Sequence, residues 1–269
     1  MARRQRGRRT APKPRSFRFR RGSVFAACFA IAALAGVAAS SLFLRGAGDE
    51  AGPPRAAIVD QLSFNIQNPD FVTQATGLLE QAGYQVDYYP SDRITVDFYR
   101  RLPSKGYDFI LFRAHADRLQ ATARDGTKFD DVVLFTTEPY DKEKYVPDQA
   151  ANRLVIAKYN TEGEPYFGAA PDFFRNAGAN FHGATIVVMG CEGFLTDRTA
   201  KAFVDMGAKA YISWNETVTA DHTDKATEVL LRHMLIEKKQ PPEAVALTMA
   251  DVGPDPVYGS RLLAYPPGD

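Results

Sequence analysis

Two side chains in this 269-residue sequence have the types and placement to do covalent chemistry together: the thiol of Cys191 and the imidazole of His115. Cys191 ends the β-branched run Ala184 to Gly190, which is bounded by Gly183 and followed by Gly193. Such a run predicts a fully buried strand with the cysteine at its carboxyl end. In open α/β sheets ligands and chemistry gather at that edge. His115 directly follows a second apolar run, Tyr107 to Ala114, and therefore occupies the same edge. In a doubly wound order such as 2-1-3-4-5 these two strands are neighbours, about 4.8 Å apart. A thiolate that attacks a carbonyl and an imidazole that moves the proton make a nucleophile and general acid/base pair.

The other candidates are fewer than the chain length suggests. Cys28 lies in the amino-terminal apolar run, which leaves Cys191 as the one cysteine of the remainder. This excludes an intrachain disulfide and a cysteine-based metal cluster there. His182 precedes the Cys191 strand and is expected about 20 Å away, at the opposite edge. His222 and His233 fall on or beside a predicted long helix, where solvated surface histidines are expected. A small buried hydrophobe at a strand end is the alternative role for Cys191. Asp60, near the end of the first strand, and Glu192, beside the thiol, are acidic groups able to recognise a basic side chain.

The elements that must position these groups follow a βαβ pattern. Strands are expected at Ala56 to Leu62, Tyr84 to Tyr89, Tyr107 to Ala114, Ala184 to Gly190 and Ala208 to Trp214, with a last one at Arg261 to Tyr265. Helices are expected at Asp70 to Ala82, Asp97 to Leu102, Pro171 to Ala177, Asp197 to Met206 and Asp221 to Glu237, with a helical turn at Glu243 to Ala250 after Pro241-Pro242. Between Asp117 and Asn180 two apolar runs, DVVLFTTE and RLVIAKYN, flank a polar Pro-containing segment and predict a hairpin or small antiparallel insertion. The alternation predicts a doubly wound α/β domain with a mostly parallel sheet, helices on both faces and a small β insertion.

Charge is segregated along the chain. Of 33 basic residues ten lie within the first 21 positions, leaving 23 against all 32 acidic residues in the remainder. The remainder is acidic and lacks the basic face that nucleic-acid binding requires. The uncharged run 23–44 after the basic segment 1–22 is long enough, at 1.5 Å per residue, to cross a hydrocarbon core of about 30 Å. The positive-inside rule predicts a cytoplasmic amino terminus and a domain outside the membrane. The alternative is export followed by signal cleavage, with Arg20-Arg21 as a twin-arginine feature and Ala38-Ala39-Ser40 as the cleavage region. Residues 45–54 read as a stalk and 55–269 as the α/β domain.

The stretch from Gly190 to Leu235 resembles the caspase-like cysteine peptidases, most closely the CHAT group, which includes separase-like peptidases. The wider group covers caspases, gingipains, clostripain and legumain. Sequences of the CHAT group carry a Cys-Glu turn with a nearby Gly, then a helix, a Gly-Ala before a strand, and a Trp with a nearby Asp. The matching positions here are Cys191-Glu192-Gly193, Gly207-Ala208, Trp214 and Asp221. The resemblance implies that Cys191 is the nucleophile, that His115 is the general acid/base, and that the backbone N–H groups of Cys191 and Ala116 form the oxyanion hole. Trp214 and Asp221, following the next strand at the same edge, are candidates for lining a substrate pocket, alongside Asp60 and Glu192. It further implies a peptide or protein substrate, with no cofactor and no metal. One position departs from the pattern: the family has His-Gly where this chain has His115-Ala116. A catalytically inactive caspase-like domain that binds a peptide or a protein partner is the alternative which that alanine favours. A flavodoxin-like small-ligand module requires a glycine-rich phosphate loop after the first strand, where QLSFNIQNPD stands instead.

Overall fold

The computed structural model describes residues 52–122, 128–159 and 162–267. The expected basic segment, the apolar run 23–44 and most of the stalk lie outside them. Among the described residues no helix is long and apolar enough to cross a membrane. The described residues belong to one unit, Asp49–Asp269.

A six-stranded sheet forms the centre. Its strands are β1 (Arg55–Asp60), β2 (Gln85–Pro90), β3 (Phe109–Arg113), β8 (Thr185–Val188), β9 (Ala210–Trp214) and β10 (Leu262–Tyr265), in the order β10-β9-β8-β3-β1-β2. All neighbours run parallel except β10, which pairs antiparallel with β9 at the edge. The strands β3 and β9 are buried along their whole length, as sandwiching between two helical layers requires. Alternation sorts their residues between the layers. Ala57, Val59, Ile110, Phe112, Ile186 and Val188 face a core completed by α2 (Val96–Arg101), α4 (Pro171–Asn176) and α5 (Asp197–Asp205). Ala56, Ile58, Phe109, Leu111, Val187 and Ile212 face the opposite core, closed by α1 (Pro69–Gln81), α6 (Ala220–Leu231) and α7 (Pro241–Val252).

Local sequence explains where these helices start. The Asn68 side chain accepts the Phe71 N–H and Pro69 occupies the first turn of α1, where its missing N–H costs nothing. Phe71, Ala75 and Leu79 then fall on one buried stripe at helical spacing. Each large side chain on such a stripe contributes roughly 1.5–3 kcal/mol.

The chain departs from the sequence expectation in several places, among them the helical turn expected after Pro241-Pro242, which is a full helix, α7, that those prolines begin. The first strand stops at Asp60, because the Asp60 carboxylate accepts the Ser63 N–H and winds Gln61–Phe64 into a 3-10 turn. The long helix is α-helical only to Leu231 and continues as a π turn over Arg232–Ile236. Of the two expected forms the insertion takes the antiparallel sheet rather than the hairpin, with four strands: β4 (Ala116–Thr122), β5 (Lys128–Pro139), β6 (Leu154–Ala157) and β7 (Tyr166–Ala169), in the order β4-β5-β7-β6. The two expected strands, β5 and β6, do not pair with each other; β7 lies between them. A five-residue helix, α3 (Val146–Ala150), occupies the polar connection.

Candidate functional site

The turn carrying Cys191 follows β8 and is fixed by its two glycines. A Cβ on Gly190 would stand 2.6 Å from the Ala114 carbonyl oxygen and 2.7 Å from the Ala116 methyl carbon. A Cβ on Gly193 would stand 2.0 Å from the Ser213 hydroxyl oxygen. Only glycine permits either approach. The turn is also latched to the end of β9: the Glu192 N–H donates to the Glu216 carbonyl at 3.0 Å and the Phe194 N–H to the Trp214 carbonyl at 2.8 Å. Tyr211 donates its hydroxyl to the Gly193 carbonyl at 2.8 Å. Glu192 itself takes a left-handed conformation, φ 57°.

The contact at Gly190 brings the two expected reacting segments together. His115 and Ala116 leave β3, Cys191 leaves β8, and those strands are hydrogen-bonded neighbours. Ala116 opens β4, and the Phe135 N–H donates to the His115 carbonyl at 3.0 Å. Ala116 and Leu134 are therefore a non-hydrogen-bonded pair, which turns the Ala116 N–H away from β5. The Cys191 N–H meets no carbonyl among the described residues.

The side chains have separate partners. The Cys191 thiol lies 3.6 Å from the Val218 carbonyl, to which it donates. His115 Nε2 lies 3.3 Å from Asn65 Oδ1. No thiol–imidazole hydrogen bond is present among the described residues. Burial, and then the charges of Glu192 and Asp117, push the thiol above its ordinary value. Burial, and then the Arg113 guanidinium, hold the His115 imidazole down at about 4. Near neutral pH the pair is a protonated thiol and a neutral imidazole. Glu192 is also raised, by burial and then by Asp117 and Glu216.

The remaining sequence candidates occupy different settings. Trp214 is fully buried in the α6 core, its indole N–H donating to the Thr223 hydroxyl at 2.8 Å, and its ring does not line a groove. Asp221 is exposed in the first turn of α6. Asp60 is 1% exposed and ion-paired with Arg113 at 2.9 Å, so its charge is already matched. Glu192 stays beside the thiol. Two histidines differ from the expected solvated sites. His233 is buried, with Nδ1 at 3.0 Å from Glu237 and Nε2 at 2.9 Å from Asp251. The half-buried His222 packs on Trp214 and reaches the Gly253 carbonyl at 3.2 Å.

Residues that the motif reading passed over hold the site in place. Arg113, 0% exposed, forms a bidentate pair with Asp224 at 2.8 Å and 2.8 Å and also binds Asp60, tying the end of β3 to α6 and to the end of β1. Gln61 is fully buried and accepts the His115 N–H at 2.9 Å. Its amide donates to the Tyr159 hydroxyl at 2.6 Å, and the Tyr159 ring packs on the imidazole at 4.9 Å between centroids. A signal for Gln61 and Asn65 did exist: the loop after β1 must neighbour the loop after β3 in a 2-1-3 order. A hollow of about 300 Å³ opens on the second sheet, where Asp117, Arg118 and Lys158 line it together with apolar side chains such as Leu119, Phe135 and Val155. Among the described residues no three His, Cys, Asp or Glu side chains converge as a metal-binding group.

The sequence matches no family description and no curated protein. Among solved structures it is similar to a protein from Geobacter sulfurreducens, with a TM-score of 0.39 and 10% identity over 80% of this chain and 95% of the other. A likeness at that level supports no inference about activity.

Proposed function

We propose that this chain is a caspase-like cysteine endopeptidase whose α/β domain is held outside a membrane by residues 23–44. The observation that carries the proposal is the packing of Gly190 against Ala114 and Ala116, which sets the turns of Cys191 and His115 side by side at the carboxyl edge of adjacent parallel strands. In this reading the neutral imidazole takes the thiol proton as sulfur attacks the scissile carbonyl carbon. The oxyanion forms between the N–H groups of Cys191 and Ala116, and the imidazolium returns its proton to the leaving amine. Water then hydrolyses the thioester with His115 as base. In this reading the hollow on the second sheet, where Asp117, Arg118 and Lys158 stand among apolar side chains, takes a substrate side chain.

Covalent labelling tests the proposal. An electrophilic peptide ketone should add one adduct at Cys191, none in Cys191→Ala, and far less in His115→Ala, where loss of the acid/base is worth about 10²–10⁴-fold. Equal labelling of Cys191→Ala removes the thiol from the mechanism.

One observation favours a second reading, a domain that binds a peptide without cleaving it. The thiol and the imidazole are each engaged by other partners, and both are neutral. The variant Ala116→Gly separates the two. Peptidase activity gained only with glycine supports the binding domain, whereas activity with the native alanine removes it.

A further inference from the structure

We infer that Gln61, Asn65 and Tyr159 are positioning residues that hold His115 as its Nε2–H tautomer, leaving Nδ1 as the nitrogen that takes the thiol proton. The inference rests on the reading of Cys191 and His115 as the reacting pair. Three contacts restrain the histidine from different directions. Gln61 Oε1 accepts its backbone N–H at 2.9 Å, the Tyr159 ring packs on its imidazole at a tilt of 60°, and Asn65 Oδ1 stands 3.3 Å from Nε2.

Two of the restraints are themselves anchored, whereas Asn65 is exposed. Gln61 uses both ends of its amide, since its Nε2 donates to the Tyr159 hydroxyl, so backbone and ring are tied to one buried side chain. Tyr159 is stacked on its other side by Phe64, at 5.6 Å and 22°, and meets Tyr166 at 5.1 Å. Asn65 and Gln61 both belong to the segment that leaves β1, the strand next to β3.

The chemistry follows from the inventory of donors. An amide oxygen only accepts, so the nitrogen facing Asn65 Oδ1 must carry the hydrogen. A neutral imidazole has a single N–H, and placing it at Nε2 makes Nδ1 the base. Burial and then the Arg113 guanidinium, itself paired with Asp60 and Asp224, favour the neutral form in which the tautomer matters.

The full-length chain labelled with ¹⁵N-histidine provides the test, because its four histidines give a countable set of ring signals. His115→Gln identifies the His115 signals. At neutral pH a long-range ¹H–¹⁵N correlation should show His115 as the Nε2–H form, Asn65→Ala should convert it to a mixture, and Asn65→Asp should raise its titration midpoint well above about 4. An Nδ1–H imidazole in the unaltered chain, or a tautomer unchanged in Asn65→Ala, overturns the inference. In turnover, Asn65→Ala should lower kcat roughly tenfold with KM unchanged, and an unchanged kcat overturns it as well. A chain with the Nε2–H form that never acylates Cys191 removes the peptidase reading while the restraint of the ring stands.

Discussion

At the scale of the residue, the glycine before the thiol carries a constraint of its own. The atoms facing Gly190 are the Ala114 carbonyl and the Ala116 methyl group, both fixed to the backbone. Gly190→Ala therefore cannot be absorbed by a side-chain rotation and must push β3's end away from the Cys191 turn. We expect a loss of about 1–3 kcal/mol in urea denaturation, together with slower labelling of Cys191 by the peptide ketone. An unchanged midpoint would mean that the two turns are not in contact. Both glycines around Cys191 are legible in the sequence as turn residues. The reason for them is not, because Gly190 is shaped by Ala116 and Gly193 by Ser213, residues distant along the chain. The same distance conceals Gln61, whose buried amide acquires a role only when β1 and β3 lie side by side.

At the scale of the element, the alternation within β9 determines what Trp214 does. Ile212 and Trp214 share the face that meets α6, while Tyr211 belongs to the opposite core. The indole N–H reaches Thr223, and the Thr223 hydroxyl donates to the Met189 carbonyl at 3.1 Å, so one chain of hydrogen bonds joins β9, α6 and the end of β8. Trp214→Phe should cost about 2 kcal/mol through a cavity and a lost hydrogen bond, measured by urea denaturation, and should leave Cys191 labelling unchanged. Full stability with weakened peptide labelling would instead place Trp214 in contact with substrate. The central sheet was readable because each of its inner strands is a short apolar run set between turn signals. The second sheet was less so. β4 reads ADRLQAT, too polar to stand out, and becomes a strand only through its register with β5. β7 has four residues and owes its place to partners on both sides, with Gly168 packed against Val133.

At the scale of the whole molecule, two histidines set opposite slopes in the dependence of stability on pH. His115 is held down at about 4 by burial and by Arg113, whereas an unfolded chain takes up that proton near 6.5. Its depressed value means that stability is lost as pH falls from about 6.5 toward 4. His233 behaves in the reverse sense. Burial alone would lower it, but its hydrogen bonds to Glu237 and Asp251 outweigh burial and raise it, since only the imidazolium can donate to both carboxylates. Its contribution is complete below about 6.5 and is lost as pH rises through the raised folded value. Asp255 adds a further acid limb. Burial opposes its charge, yet hydrogen bonds from Thr219, Val257 and Tyr258 bring it to about 2. The stability it contributes is present above about 3.8 and lost as pH falls through about 2. Stability should therefore peak near pH 6.5, and urea midpoints measured from pH 3 to 9 will show whether it does. His233→Gln should flatten the alkaline side of that profile and His115→Gln the side between about 6.5 and 4. If either variant instead flattens the opposite limb, the assignment of charged His233 and neutral His115 fails. The neutral imidazole on which the proton transfer from Cys191 depends would fail with it.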